Sequence, residues 1–433
     1  MDFYEILSQT RQHLSEVYGN FLSRLLQNRD DEKMQLLESY IQDFIQKSEF
    51  AANELEQKAL TQRLISEMMG YSFLDQYLER IDVEEINING WRDVKITYSD
   101  GSVVPAKEAF RSKEHAVDIV RKMLRESNMI WDAAQCIQVG HLPGNIRITA
   151  VGFDVIDSNA GLAVSIRKVN PKNLMREHFI KLNTATGEML DMLAQFYSRG
   201  ISICVSGATN SGKSTLVSWI LSCVPDSKRL ITIEQGARDF NCVKIEDGVV
   251  KNNVIHLSTR SSKDPDQNIT QSKLLETIMT MNPDYIAVGE SKGEEAMQAV
   301  TAANTGHSVI TTTHANNAEQ TYTRLVLLCK MMYPNMDDQM LKEIVVQAFP
   351  ITAFIYQMDD HYRRVTQINE ASWENGTIVY RPLYQFKVIS NRDGQVHGVF
   401  EKVNTPSEAL KKRLLASGME DAAIHRFFNK EGE

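Results

Sequence analysis

Three patterns of apolar and polar positions follow one another along the 433-residue chain. Up to about residue 80, apolar residues such as Ile41, Phe44 and Ile45 recur at helical spacing between charged residues, without the alternation of a strand. This pattern predicts a helical N-terminal segment over 1–80. Its charged faces are typical of solvated helix surface, and docking to a partner is the alternative.

From Val83 the pattern changes to alternating apolar and polar residues, which is typical of strands. The segments EEINING and KITY alternate in this way, and Asp100 and the glycine after it predict the turn of a hairpin. A helix over 114–126 and further alternating segments follow. The sequence therefore predicts an α+β domain over 81–170, and the polar stretch after it predicts a linker over 171–178.

From residue 179 onward, helical patterns alternate with short strands that carry few charged residues, such as ISICV, LITIE, YIAV and SVITTT. Strands of this kind are typical of a mostly parallel sheet covered by helices on both faces, so 179–433 is predicted to be an α/β domain. In its last part, apolar residues at helical spacing predict a helical tail over 407–428. Before the tail, short antiparallel strands are predicted at 353–356, 364–368, 377–380 and 384–388.

The composition is that of a folded globular protein, with 42% hydrophobic and 24% charged residues. The 47 Lys and Arg against 56 Asp and Glu give a formal net charge of −9. General nucleic-acid binding depends on neutralising phosphates with clustered basic residues, so this charge argues against it. A local basic patch in the pore of an oligomer is the alternative.

Neither a signal peptide nor a membrane-spanning segment is expected. The first residues are acidic and polar, and the most apolar later stretch, 344–358, is interrupted by polar residues and proline. Membrane contact is therefore expected to be peripheral or through a partner. The five cysteines form no CxxC pair, so buried or free thiols in a reducing cytoplasm are expected.

The segment GATNSGKS over 207–214 matches the phosphate-binding P-loop, with an apolar strand before it and an apolar-periodic helix after it. Its glycines let successive N–H groups point inward, and the helix adds its positive end, which together bind phosphate. The alternative is a Gly-Ser turn before a helix. We expect Mg-ATP, with Lys213 on the β- and γ-phosphates and the Ser214 hydroxyl on Mg²⁺. The predicted nucleotide-binding residues of the loop are Gly207, Ala208, Thr209, Asn210, Ser211, Gly212, Lys213, Ser214 and Thr215.

Three polar residues follow the buried strands at the edge where parallel α/β sheets bind ligands. Glu290 comes after YIAVG, where it is predicted to orient or activate water, with a glutamate in a surface turn as the alternative. Glu234 ends LITIE, and His314 follows SVITTT. Both are predicted to take part in catalysis, although a lone histidine is more often structural.

The four motifs GATNSGKS, ITIE, NPDYIAVGE and TGHSVITTTHAN stand in an order and spacing that resemble the secretion or traffic ATPases. These are hexameric motors of type II and type IV secretion, type IV pili and conjugation. The first-half segments EINING, LPGNIRITAV and AVSIRKV resemble the CpaF-like branch of pilus assembly and conjugation. The resemblance covers about 80–390 and implies a RecA-like ATPase domain.

The resemblance also implies a mechanism, in which ATP lies between the two domains of one subunit and hydrolysis rocks these domains within a ring. It assigns the Asp-box acid to Glu234, the Walker B glutamate to Glu290 and the His-box histidine to His314. Arg147 and Arg167 match the arginines that reach the phosphates from the N-terminal domain. Alternation alone would instead favour strand arginines that face solvent.

The chain departs from the family pattern at several charged positions. Gln235 and Arg238 stand where the family continues its Asp box with acidic residues. Around Walker B, the family arginines are replaced by Thr280, Asn282, Tyr285 and Lys292. Lysine cannot reproduce the bidentate guanidinium fork, so turnover and subunit contacts are expected to differ.

The sequence thus predicts a cytoplasmic ATPase motor, peripheral at the inner face of the cytoplasmic membrane, for a secretion, pilus-assembly or conjugation machine. Its expected partners are further copies of itself, in a hexamer, and membrane platform proteins. One alternative is a nucleotide-gated hexameric scaffold with weak ATPase activity. The other is a RecA-like nucleic-acid translocase, against which the acidic composition counts.

Overall fold

The computed structural model describes residues 2–27, 31–51, 53–98, 101–127, 129–142, 146–168, 175–235, 239–260 and 264–429. Asp100 of the predicted hairpin turn, 171–174 of the predicted linker and Arg238 lie outside these residues. The chain divides into two compact units, Met1–Lys168 and Val169–Glu433. The domain boundaries read from the sequence stay a prediction.

The first unit begins with helices that pack through their apolar stripes. Leu14, Ile41 and Ile45 are fully or almost fully buried between them, whereas Phe44 is half-buried and stacks on His13. The α3 helix is capped by Asn53, whose side chain accepts the Glu56 N–H. The helices of this unit are α1 (Phe3–Gln27), α2 (Asp31–Lys47), α3 (Glu54–Met69), α4 (Asp75–Leu78) and α5 (Lys113–Glu126).

The strands of the first unit form one antiparallel sheet in the order β3-β2-β1-β6-β5-β4. Alternate residues such as Ile86, Ile148 and Ile166 are buried in a core that also takes the apolar face of α5. The residues between them, including Arg147 and Arg167, therefore lie on the other face of the sheet. The strands are β1 (Val83–Gly90), β2 (Asp93–Tyr98), β3 (Val103–Pro105), β4 (Ile137–Leu142), β5 (Ile146–Gly152) and β6 (Leu162–Lys168).

The second unit is an α/β layer structure built on a nine-stranded sheet. Its helices are α6 (Arg176–Lys181), α7 (Gly187–Ser198), α8 (Lys213–Ser222), α9 (Gln271–Met279), α10 (Glu295–Asn304), α11 (Gln320–Met332), α12 (Asp338–Ala348), α13 (Glu408–Ala416) and α14 (Asp421–Phe428). Its strands are β7 (Ile203–Ser206), β8 (Leu230–Glu234), β9 (Ile245–Glu246), β10 (Val249–Val250), β11 (Val254–Ser258), β12 (Tyr285–Val288), β13 (Ser308–Thr313), β14 (Ile351–Gln357), β15 (Arg363–Glu374), β16 (Thr377–Arg392) and β17 (Gln395–Lys402).

The sheet order is β11-β8-β12-β13-β7-β14-β15-β16-β17, and the first six strands run parallel. Side chains of β7 enter both apolar layers, because Ile203 and Val205 join one cluster and Cys204 joins the other. A strand buried on both faces is rich in apolar residues, and the one polar side chain of β7, Ser206, hydrogen-bonds to the Thr321 hydroxyl. The carboxyl ends of these parallel strands meet at one edge, where the P-loop begins.

The C-terminal strands differ from the prediction in two ways. The segment 353–356 lies in β14, which pairs antiparallel with β15 as expected but also pairs in parallel with β7. The segments 377–380 and 384–388, expected to be two strands, form the single strand β16, which continues past Pro382 where the pairing with β15 shifts register. A local register shift accommodates a proline that cannot donate to the ladder.

None of the described helices combines the length and the apolar character that crossing a bilayer demands.

All five cysteines are free thiols, and burial raises the pKa of the Cys242 and Cys329 thiols to about 12. Such thiols are inert at neutral pH.

Candidate nucleotide-binding site

The predicted P-loop joins β7 to α8 with the backbone that a phosphate cradle requires. Gly207 has a φ of 154°, and a Cβ at this position would lie 2.1 Å from the carbonyl oxygen of Ile355 on β14. Gly212, directly before α8, has a φ of 97°, and Asn210 has a φ of 60°. These conformations turn the loop over the N-terminus of α8, where free N–H groups and the helix dipole favour an anion.

Lys213 is the first residue of α8, and it is 8% exposed. Its Nζ donates to the carbonyl oxygens of Gly207 at 3.2 Å and Ala208 at 2.7 Å, and it lies 3.4 Å from Nδ1 of His314. The ammonium group is therefore held over the loop, with its charge at the place where phosphate oxygens would bind.

Glu290 and His314 meet beside this lysine. Nε2 of His314 lies 3.0 Å from Oε1 of Glu290, and Nδ1 lies 3.1 Å from the carbonyl oxygen of Gly207. Both side chains are partly exposed, at 41% for His314 and 34% for Glu290. A continuous line of contacts therefore runs from the Glu290 carboxylate through the imidazole to the P-loop and Lys213.

Glu234 and Asp239 form the acidic side of the site. Glu234 ends β8 and is only 3% exposed, and its Oε1 accepts the backbone N–H groups of Asp239 at 2.5 Å and Phe240 at 3.0 Å. The carboxylate next to the predicted Mg²⁺ ligand is that of Asp239, whose Oδ2 accepts from the Ser214 hydroxyl at 3.4 Å. The sequence predicted Glu234 as the second acid of the crevice, and that role stays a prediction. In the structure, its Oε1 holds the segment that carries Asp239.

The described replacements of the family arginines have different surroundings. Tyr285 is buried, and its hydroxyl donates to the carbonyl oxygen of Ser198. Lys292 and Thr280 are exposed, and Asn282 has a φ of 54°. Tyr285 therefore contributes to packing and one hydrogen bond.

Arg147 and Arg167 are brought together, but in the first unit. They are directly opposite each other on β5 and β6, and Arg147 is also opposite His141 on β4. Arg147 is half-buried and Arg167 is exposed. Burial, with the charge of Arg147, lowers the pKa of His141. The pair thus places two positive charges side by side on the face of the sheet away from its core, with Glu85 of β1 directly opposite Arg167.

Sequence reasoning missed two residues of this site. Asp239 lies in a loop without periodicity, five residues after the strand that carried the prediction. Arg363 comes from β15, about 150 residues after the P-loop, and its Nε donates to the carbonyl oxygen of Asn210 at 3.0 Å. Neither position carries a local signal, since each becomes part of the site only through the fold.

Comparison with known proteins places the chain among related sequences. It is 25% identical over 342 residues to MJ0900, an uncharacterized protein of Methanocaldococcus jannaschii. This match covers 78% of this chain and 58% of MJ0900. It is 32% identical over 146 residues to the type IV secretion system protein PtlH of Bordetella pertussis, over 34% of this chain and 41% of PtlH. The chain spans less than two thirds of the length of the curated relatives that it matches.

Among solved structures, the pilus retraction motor PilT with bound ADP superposes with a TM-score of 0.50 at 15% sequence identity. The match covers 80% of this chain and 86% of PilT. The likeness confirms the predicted fold class, in which a smaller domain precedes a P-loop domain with a mostly parallel sheet. The sequence model described as type II/IV secretion system protein matches residues 58–363, which confirms the resemblance seen in the four motifs. The chain therefore belongs to the type II/IV secretion system protein family.

Proposed function

We propose that this protein is an ATP-hydrolysing motor subunit of a machine for secretion, pilus assembly or conjugative transfer. One observation carries the proposal: the carboxylate of Glu290 contacts His314, which in turn contacts the P-loop and Lys213. A site that only bound nucleotide would not need a carboxylate held beside its phosphate lysine. PtlH, a type IV secretion system protein, and PilT, a pilus motor with bound ADP, support the same assignment.

In this proposal each group has one task. The N–H groups of the loop and the Lys213 ammonium hold the β- and γ-phosphates and stabilise the charge that develops during transfer. Glu290 orients the attacking water and accepts its proton. His314 donates to Glu290 from Nε2 and so fixes the direction of the carboxylate. The imidazole of His314 also contacts the Gly207 carbonyl oxygen of the P-loop. This contact links the position of the Glu290 carboxylate to that of the phosphates.

The residues around Ser214 fit a Mg²⁺ ion. The ion prefers oxygen ligands and keeps several waters, so one hydroxyl and one nearby carboxylate suffice beside the phosphates. Ser214 offers the hydroxyl and Asp239 the carboxylate, which Glu234 holds in place through the backbone. When bound, Mg²⁺ neutralises phosphate charge. Asp239 and Ser214 would orient its ligand shell.

Arg147 and Arg167 are proposed to reach the phosphates when the two domains close. Guanidinium groups that arrive only on closure would couple charge stabilisation at the γ-phosphate to domain movement. Their place as direct neighbours on the sheet face away from the core supports this role. The replaced family arginines around Walker B lead us to expect a modest turnover rate.

The experiment compares Glu290→Gln with the wild-type protein in ATP hydrolysis and ATP binding. Loss of the proton acceptor should lower kcat at least about 100-fold while ATP still binds. Glu294→Gln, at an exposed glutamate four residues away, is the matched control and should hydrolyse ATP normally. Equal rates in wild type and Glu290→Gln would contradict the motor and favour a nucleotide-gated scaffold. Strong stimulation by single-stranded DNA would instead favour a translocase.

We also propose that the motor works as a ring of identical subunits, expected to be a hexamer, on membrane platform proteins at the inner face of the cytoplasmic membrane. The resemblance of the four motifs to the hexameric secretion ATPases supports the ring, and the names of PtlH and PilT support work at a secretion or pilus machine. Light scattering of the purified protein with ATP at micromolar concentration tests it. A monomer under these conditions would contradict the ring.

A further inference from the structure

A cation from the C-terminal strands reaches the P-loop from the side opposite Glu290. Arg363 begins β15; its Nε donates to the Asn210 carbonyl oxygen at 3.0 Å, and its Nη2 lies 3.4 Å from Asn210 Oδ1. Its aliphatic stem crosses Gly212, where a Cβ would lie 3.1 Å from Cδ of Arg363. A single side chain thus covers two of the loop positions that have positive φ.

Asn210 is the loop residue that needs such support. Its φ of 60° is left-handed, a conformation that costs free energy for any residue with a Cβ, although asparagine tolerates it better than most. Arg363 contacts both the carbonyl oxygen and the side-chain oxygen of Asn210. The hydrogen bond to the carbonyl oxygen restrains the peptide plane after Asn210, and the contact with Oδ1 restrains the side chain of the same residue.

The turn between β14 and β15 holds Arg363 in place. Arg364 and Asp360 form a bidentate ion pair with side-chain exposures of 4% and 8%. The same carboxylate accepts the Tyr362 N–H, and the Met358 N–H donates to the carbonyl oxygen of Tyr362. Arg363 therefore projects from a turn with few alternative conformations.

The order of strands in the sheet shows on which side of the P-loop Arg363 contacts Asn210. Glu290 and His314 follow β12 and β13, on one side of β7, whereas β14 and β15 lie on the other side. With the terminal phosphate of a nucleotide facing Glu290, we place its nucleoside on the side of β14 and β15. We propose that Arg363 is a positioning residue for nucleotide binding, which holds Asn210 in its left-handed conformation on the nucleoside side of the P-loop. The inference rests on the proposed nucleotide site.

Calorimetric titration with Mg-ADP and with Mg-pyrophosphate tests this role in Arg363→Ala. Because the loop itself would be disordered, we expect both ligands to bind about tenfold more weakly, the equivalent of one lost charge-assisted hydrogen bond. The loss in kcat/KM should exceed the loss in kcat. Arg363→Lys, which keeps the charge without the fork, should show an intermediate loss. Arg381→Ala, at an exposed arginine of β16, is the control for loss of charge.

The decisive variant adds Asn210→Gly to Arg363→Ala. Glycine adopts a positive φ without a side-chain penalty, so most of the lost affinity should return. Failure of this rescue would overturn the inference. Unchanged ADP binding in Arg363→Ala would also overturn it, as would a loss in this variant that affects ADP but not pyrophosphate. Wild-type protein that binds neither ligand would refute the nucleotide site itself. Thermal unfolding of every variant shows whether it is folded.

Discussion

Gly207→Ala is the substitution whose effect can be worked out most directly from the structure. Its Cβ would lie 2.1 Å from the carbonyl oxygen of Ile355 and 2.7 Å from Oγ of Ser211. The first distance is shorter than van der Waals contact by more than about 1 Å. The obstacle is the backbone of β14, a central strand paired with β7 on one side and β15 on the other, so it cannot turn away as a side chain would.

To remove this clash, either the P-loop or β14 must move. Movement of the loop should weaken ADP binding, and movement of β14 should lower the Tm. Overpacking of this kind costs about 3 kcal/mol, which corresponds to a fall in Tm of about 6–12 °C for a unit of this size. Gly306→Ala provides the matched control, because Gly306 has a φ of 102° but no atom within 4 Å of its Cβ position. Gly306→Ala should therefore lose only the free energy needed to hold alanine at a positive φ, about 1 kcal/mol. Gly212→Ala should fall between them, since the neighbour at 3.1 Å is the flexible stem of Arg363.

The assay combines thermal unfolding with ADP titration for the three alanine variants. We expect the order Gly207, Gly212, Gly306 in loss of stability, and loss of ADP binding in Gly207→Ala but not in Gly306→Ala. Equal Tm values for Gly207→Ala and Gly306→Ala would refute the reasoning, because they would show that β14 does not confine the loop. Normal ADP binding by Gly207→Ala would refute it as well.

Three further substitutions test the acidic side, the supporting turn and the paired arginines. Asp239→Asn should weaken ADP binding about tenfold with Mg²⁺ but not with EDTA, since the carboxylate acts on the metal shell; an equal loss in EDTA would contradict this. Hydrogen bonds from Arg364 lower the pKa of Asp360, so the pair stabilises the fold above the unfolded-state pKa of about 3.9 and stops doing so as the pH falls through the folded-state pKa. Asp360→Asn should therefore lower the free energy of unfolding by about 3 kcal/mol at pH 7, and urea denaturation at pH 3 should show a smaller gap. Arg167→Gln should lower kcat at least about tenfold while ADP still binds, whereas exposed Arg92→Gln should leave kcat unchanged.

Much of the P-loop could be predicted because its chemistry is local. The cradle is made by the backbone of consecutive residues between one strand and one helix, so Lys213 and Ser214 follow from eight letters of sequence. Glu290 and His314 could be predicted together for a second reason. Each follows a buried strand, and the ends of parallel strands share one edge of the sheet.

Glu234 shows where strand position stops being informative. The end of β8 places it at the correct edge, and its Oε1 accepts the N–H groups of Asp239 and Phe240, a contact that strand position does not predict. Whether an acidic side chain faces a ligand or a neighbouring loop depends on how that loop folds back. The seven residues after Glu234 have no periodicity from which this could be read.

The sequence by itself determined the order of elements, the strands buried on both faces and the phosphate loop, since each depends on neighbours along the chain. Only the tertiary structure decided that β14 lies parallel to β7, that Asp239 stands next to Ser214, and that Arg363 braces Asn210. Strand partners and loop contacts are chosen by packing across the whole unit, between residues that are far apart in the sequence. Periodicity records which face of an element is buried, but not what covers it.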